Sequence, residues 1–163
     1  SLNPRHRVWQ IVALPLRRFG LAGDRRAALA ALDRVGLGAG FADRYPHELS
    51  GGQRQRVGIA RAIAVGPRFI LADEIVSGLD VSSQARVLAL LQDLARDLRL
   101  TVAFISHDLS VIRQLCQEVI VLHHGEIAEA GAVEQVFDRP ASPVTRRLMA
   151  AIPLPRTDPH WLD

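Results

Sequence analysis

Lysine is absent from this chain of 163 residues, and all 20 of its Lys/Arg positions are arginine. That excludes a phosphate-binding loop of the form Gly-x-x-x-x-Gly-Lys-Ser/Thr, whose lysine reaches the β- and γ-phosphates of a nucleotide. Cysteine is nearly absent as well. Cys116 stands alone, so no internal disulfide can form and a reducing compartment is expected. Aromatic residues make up only 5% and do not interleave with a basic cluster. The arginines are scattered among Asp and Glu, the formal net charge is +3, and no nucleic-acid partner is expected. No apolar run approaches the ~18 residues that read as a membrane span. Ser1-Leu2-Asn3-Pro4-Arg5 leads into mixed polar sequence without the apolar stretch of a secretory signal. What remains is 48% hydrophobic, enough to bury a substantial core as one domain or a large piece of one.

The first ~48 residues read as a small helical layer. A helix over Val8–Phe19 is expected to be interrupted or kinked at Pro15. Asp24 is placed to cap a second helix, whose Ala28, Ala31, Leu32 and Val35 recur at helical spacing. Glycines 36, 38 and 40 stop it. A third helix runs from Ser50 to Val65, with Val57, Ala60, Ile63 and Ala64 on one side. Phe69-Ile70-Leu71-Ala72 is a continuous apolar run, expected to be a strand buried on both faces. Ser82 or Ser83 is expected to cap the next helix, with Val87, Leu91, Leu94, Ala95 and Leu98 inward. Leu100–Ile105 reads as a second buried strand and Val119–Leu122 as a third, with a turn at His124-Gly125 and a hairpin partner at Ile127–Ala130. Short helices follow at Val133–Phe137 and Val144–Ile152, then a proline-rich tail over residues 153–163. Strands alternating with helices imply an α/β fold with a parallel sheet, whose ligands gather at the carboxyl ends of the strands.

Two places carry chemistry. The first is Leu49-Ser50-Gly51-Gly52-Gln53. Ser50 is a good N-cap, and Gly51-Gly52 leaves bare backbone N–H groups at the positive end of a helix dipole, where an anion can dock. Taken alone, a capped helix start is the commoner meaning. The second is the set of polar residues at strand ends. Asp73 suits Mg²⁺, a hard ion that takes oxygen ligands. Glu74 can hold an attacking water. His107 ends the next strand and can donate to a phosphate, while Asp80, after Ser77-Gly78-Leu79, can equally be a helix-entry acid.

In this order the motifs resemble the ATP-binding cassette (ABC) ATPases. Leu49–Gln53 is similar to their signature motif, Phe69–Asp73 to the Walker B strand, Glu74 to the catalytic glutamate, Ser77–Asp80 to the D-loop and His107 to the switch histidine. Residues 1–5, Tyr45–Glu48 and Gly131–Pro153 are similar to corresponding stretches of dipeptide and oligopeptide importers, with Val144 and Ser142 departing from that pattern. The resemblance implies a partial P-loop NTPase (RecA-like) sheet with a helical subdomain, the N-terminal strands and P-loop lying outside this sequence. It divides the chain into a helical subdomain (1–65), the C-terminal part of the ATPase core (66–131) and an extension (132–163). ATP and Mg²⁺ are the implied cofactors, with Asp73 as metal ligand. Glu74 and His107 are the implied catalytic residues, and Ser50, Gly51, Gly52, Gln53 and Asp80 the nucleotide-binding ones. The implied partners are a second ATPase subunit packed head to tail, transmembrane permease subunits and, indirectly, a solute-binding protein, at the cytoplasmic face of the plasma membrane. Without a lysine-bearing loop the chain alone is expected to be inactive. Gly78, where the family commonly has Ala, is expected to loosen the D-loop. The competing classes are a non-transport ATPase of the same superfamily and a degenerate subunit that only lends its signature motif to a partner.

Overall fold

The computed structural model describes residues 2–151. Within it the chain separates into two compact units, one ending at Ile105 and the other beginning at Ser106. No helix among the described residues is long and apolar enough to cross a membrane.

The first unit begins with three packed helices, α1 (Val8–Arg18), α2 (Arg25–Arg34) and α3 (Gly51–Ile63). The apolar spacing on each dictates the face it buries: Val8, Ile11, Val12 and Leu16 on α1, Ala28, Ala31 and Leu32 on α2, and Val57, Ala60 and Ile63 on α3. Leu32 and Ile63 are fully buried, and each such side chain contributes roughly 1.5–3 kcal/mol relative to exposure. Helix ends are satisfied locally. Asp24 accepts from the Ala27 N–H at 2.8 Å, as its position predicts. The first-turn N–H groups of Val8 and Trp9 donate to the carbonyls of Arg44 (2.9 Å) and Ala42 (3.0 Å), which ties α1 to the segment before the signature. Asp43 accepts a two-pronged bond from Arg25 at 2.8 and 2.5 Å, and Arg7 donates to its carbonyl at 2.9 Å. Arg25 is the main cause holding the Asp43 carboxyl below the usual range. Pro15 lies inside α1 without ending it, since the helix continues to Arg18.

The remainder of the unit is a strand–helix–strand element, β1 (Phe69–Asp73), α4 (Val81–Asp97) and β2 (Thr101–Ile105). β1 and β2 pair in parallel from Phe69↔Thr101 to Asp73↔Ile105. Neither strand is buried on both faces, which corrects the expectation from their apolar runs. Ala72 is buried, but Phe69 is 56% exposed, Leu71 58% and Ile105 48%. The physical reason is that, among the described residues, no layer covers the face holding Phe69, Leu71 and Ile105 of this two-stranded sheet. The cap of α4 is also corrected. Asp80, not Ser82 or Ser83, precedes the first helical residue and accepts from the Ser83 N–H at 2.9 Å.

The second unit holds α5 (Leu109–Leu115), an antiparallel hairpin of β3 (Glu118–His123) and β4 (Glu126–Ala132), α6 (Val133–Asp138) and α7 (Pro143–Ala150). The hairpin turns on His124 (φ 50°) and Gly125 (φ 82°), the left-handed pair that a two-residue turn requires. A shift in register places Val121 opposite Glu129 and Leu122 opposite Ile127, so Ala128 is the extra residue of a bulge. β3 is again only half covered, with Val121 buried and Ile120 and Leu122 exposed. Val111, Ile112, Val133, Val136 and Phe137 form the core of this unit. The Glu129 carboxylate accepts from the N–H groups of Ala141 (2.8 Å) and Ser142 (3.1 Å), which fastens the start of α7 to β4. The expected tail, and the end of the last helix at Ile152, lie outside the described residues.

Candidate functional site

The signature stretch folds as its residues dictate. Leu49 is buried and extended, and Ser50 turns the chain into α3. A reciprocal capping box holds this corner: Gln53 N–H donates to Ser50 Oγ at 3.3 Å, and Ser50 N–H donates to Gln53 Oε1 at 2.9 Å. Gln53 therefore acts first on the backbone of the cap. Arg54 Nη1 reaches back to the Leu49 carbonyl at 2.8 Å, and Arg56 Nη1 donates to the Val35 carbonyl at 3.5 Å, binding α3 to the end of α2. Ser50 itself is exposed. The first turn of α3 presents Gly51 and Gly52, with no side chain between the backbone and whatever approaches it.

The start of α4 lies beside it. A Cβ on Gly52 would stand 3.7 Å from Ser83 Cβ, and one on Gly51 would stand 2.9 Å from Leu79 Cδ2. The structure thus brings the signature glycines against the Ser77–Asp80 turn and the first turn of α4 in one unit. Asp80 accepts from Ser82 Oγ at 2.7 Å and from the Ser83 N–H. These bonds, that of the Ser82 hydroxyl foremost, hold its carboxyl far below the usual range. It stays charged at the positive end of α4. Arg86, one turn on, donates from Nη2 to the Ser82 and Ser83 hydroxyls at 3.2 and 3.4 Å.

Asp73 is the last residue of β1 and is exposed. Glu74 follows at φ 50°, an uncommon backbone conformation for a residue with a side chain. It is fixed from both sides, since its N–H donates to the Ile105 carbonyl at 3.0 Å and its carbonyl accepts from the Ser77 N–H at 3.1 Å. The two carboxylates therefore leave a strand end whose backbone is pinned to β2. The turn beyond runs through Gly78 at φ 73°. Glycine is the residue suited to that conformation, so Gly78 relieves strain there, and the expectation that it loosens the turn is corrected. His107 belongs to the second unit and is exposed. It sits on a turn closed by the Asp108 N–H donating to Ser106 Oγ at 3.0 Å, with Asp108 capping α5 through the N–H groups of Ser110 and Val111.

Sequence reasoning missed Leu79 and Ser83 as neighbours of the glycines. The contacts span some thirty positions, and nothing local announces them. Arg86 had a signal, the spacing of four from Ser82 that places both on one helix face.

The family described as ABC transporter matches residues 1–77. The glutathione import ATP-binding protein GsiA of Salmonella typhimurium is 47% identical over 163 residues, 98% of this chain and 26% of that protein. The chain belongs to the ABC transporter ATPase family. The oligopeptide transport ATP-binding protein OppF of Escherichia coli K12 is 44% identical over 97% of the chain and 48% of its own length. This ABC ATPase chain thus spans about half, or less, of the curated relatives it matches. Among solved structures, the dimeric ATP-binding cassette MJ0796 in a post-hydrolysis state bound to ADP and Pi superposes with a TM-score of 0.68 at 35% identity. That match covers 82% of this chain and 59% of the cassette. The α/β fold with a parallel sheet is that of the ABC ATPase cassettes.

Proposed function

We propose that this chain supplies the signature half of an ABC ATPase subunit that drives import of peptides or a similar small solute. The observation that carries the proposal is the capped, side-chain-free first turn of α3 at Ser50–Gly52, in a chain of this family. The residues fit a nucleotide. A γ-phosphate needs donors without obstruction, and Ser50 Oγ with the N–H groups of Gly51 and Gly52 offers them at the positive end of a helix. They serve ATP held on a second ATPase subunit packed head to tail. Gln53 keeps the cap in place, and Asp80 fixes the turn beside it.

Asp73 is a carboxylate at a strand end, the hard-oxygen donor that Mg²⁺ takes. When bound, the ion neutralises charge on the phosphates. Glu74, on its pinned backbone, orients and deprotonates the attacking water, and His107 donates to the γ-phosphate. In this reading Asp73 and Glu74 act on a nucleotide whose P-loop is not in this lysine-free sequence. We therefore propose that the chain by itself does not hydrolyse ATP. In this reading residues 1–65 form the helical subdomain that meets transmembrane permease subunits, 66–131 complete the ATPase core, and 132–163 extend it. The assembly is peripheral to the cytoplasmic face of the membrane, with a solute-binding protein as an indirect partner.

The test mixes the full chain with a P-loop-bearing ATPase subunit of the family, MgATP present, and follows association by sedimentation and turnover by phosphate release. Association that needs ATP, and that Ser50→Glu abolishes by placing a carboxylate against the phosphate, is the expected result. ATP-independent association, or none, overturns the proposal. Co-purification with ribosomes or DNA instead of permease subunits would favour a non-transport ATPase.

A further inference from the structure

The two signature glycines face different neighbours. A Cβ on Gly52 would be in ordinary contact with Ser83, at 3.7 Å from its Cβ and 3.8 Å from its Oγ. This chain therefore has room for a side chain at 52. At Gly51 the Cβ would stand 2.9 Å from Leu79 Cδ2, closer than packed carbons approach, and the Leu79 side chain would have to move. Leu79 is half-buried and lies in a turn fixed along its length. Ser77 N–H donates to the Glu74 carbonyl at 3.1 Å, Leu79 N–H to the Val76 carbonyl at 3.3 Å, and Val76 is buried. The next residue, Asp80, caps α4.

We infer that Leu79 is a positioning residue: its side chain, seated on the bare Cα of Gly51, ties the turn that follows Glu74 to the first turn of the signature helix of the same chain. Gly51 is then glycine to admit Leu79, and Gly52 to leave its backbone open. The consequence for activity rests on the composite-site reading above. One chain gives Glu74 to one nucleotide and Ser50–Gly52 to another, and the Leu79–Gly51 contact makes a shift of the Glu74 turn a shift of the signature N–H groups.

The experiment is a double-mutant cycle on the full chain with Gly51→Ala, Leu79→Ala and the pair, read first by thermal unfolding. Alanine at a helical position normally stabilises relative to glycine. The contact offsets that gain: Gly51→Ala raises Tm less when Leu79 is present than in the Leu79→Ala background. The two backgrounds should differ by about 3 °C or more. Equal shifts in both backgrounds overturn the inference. Turnover with the P-loop-bearing subunit is the second arm. Gly51→Ala lowers it about tenfold, and adding Leu79→Ala recovers it to within about threefold of the Leu79→Ala level. If Gly51→Ala is equally damaging in both backgrounds, Gly51 serves the phosphate alone and the positioning role is wrong. If the wild-type mixture shows no turnover, the composite-site reading fails, while the melting cycle still decides the contact.

Discussion

Ser50 has one observed duty and one proposed one, and Ser50→Ala confounds them. Its hydroxyl accepts from Gln53 N–H, and the same oxygen is the one proposed to meet a phosphate. Ser50→Ala removes both, and the loss of an N-cap alone costs about 1 kcal/mol. Ser50→Asp separates them, because aspartate caps as well as serine and suits the helix dipole, yet repels phosphate. Urea unfolding should show Ser50→Asp within about 0.5 kcal/mol of wild type, while ATP-dependent association with the P-loop-bearing subunit falls at least tenfold. Equal association by Ser50→Asp and wild type would remove the hydroxyl from the site. Gly78 offers a cleaner case. At φ 73° an added Cβ is strained whatever space surrounds it, so Gly78→Ala should destabilise by about 1 kcal/mol in the same measurement. A neutral or stabilising effect would mean that the turn does not hold the left-handed conformation.

The elements differ in how far residue pattern alone revealed them. The α2 stripe, the Asp24 cap and the His124-Gly125 hairpin were legible because each depends on residues within a few positions of one another. The strands were legible as strands, but their burial was not. A continuous apolar run reads the same whether or not a neighbouring layer is present, and Phe69 and Leu71 lie open here. For α4 the pattern offered Asp80 as a helix-entry acid and Ser82 or Ser83 as the cap; all three are good cap types, and only the backbone decides that Asp80 takes the position. Order and spacing singled out the motif residues as candidates, whereas the approach of Leu79 to Gly51 had no such signal, being a product of how α3 and α4 pack.

Two predictions belong to elements. Leu71→Thr keeps a good strand residue on the open face of β1 and should cut binding of an apolar dye such as ANS, with Tm within about 2 °C of wild type. Unchanged dye binding would place the apolar patch elsewhere. The second concerns the Glu129 clamp on α7. The buried Thr145 hydroxyl is the largest influence lowering the Glu129 carboxyl, followed by the Ala141 N–H. Thr145 Oγ1 falls short of hydrogen-bond geometry, so the two backbone N–H groups carry the clamp itself. A carboxyl lowered on folding contributes stability that is complete above its unfolded pKa of about 4.3 and is lost as pH falls through the lower folded value. The Tm advantage of wild type over Glu129→Gln should therefore be constant at pH 6–7 and shrink as pH drops below about 4. An advantage that grows on acidification would refute the clamp.

At the scale of the whole molecule, the proposed reading assigns the acids of this sequence to one nucleotide and its signature donors to another, and the sequence holds no lysine-bearing cradle for either. Positioned backbone N–H groups bind phosphate appreciably only when other contacts share the cost of ordering the ligand. In the proposed composite site those contacts come from a partner that already grips the base, ribose and α- and β-phosphates. Isothermal titration of MgATP into the isolated chain should thus give no saturation below about 1 mM, corresponding to less than about 4 kcal/mol of binding free energy. Turnover should stay at the level of buffer. Adding a P-loop-bearing subunit made inactive by substitution of its own catalytic glutamate keeps the nucleotide cradle and removes its chemistry. That mixture should associate in the presence of ATP without hydrolysing it, because Glu74 and the nucleotide on the partner's P-loop are assigned to different sites. Micromolar ATP binding by the chain alone would break the argument at its first step. Rapid hydrolysis by that mixture would break it at the second, by showing that Glu74 reaches the partner's nucleotide.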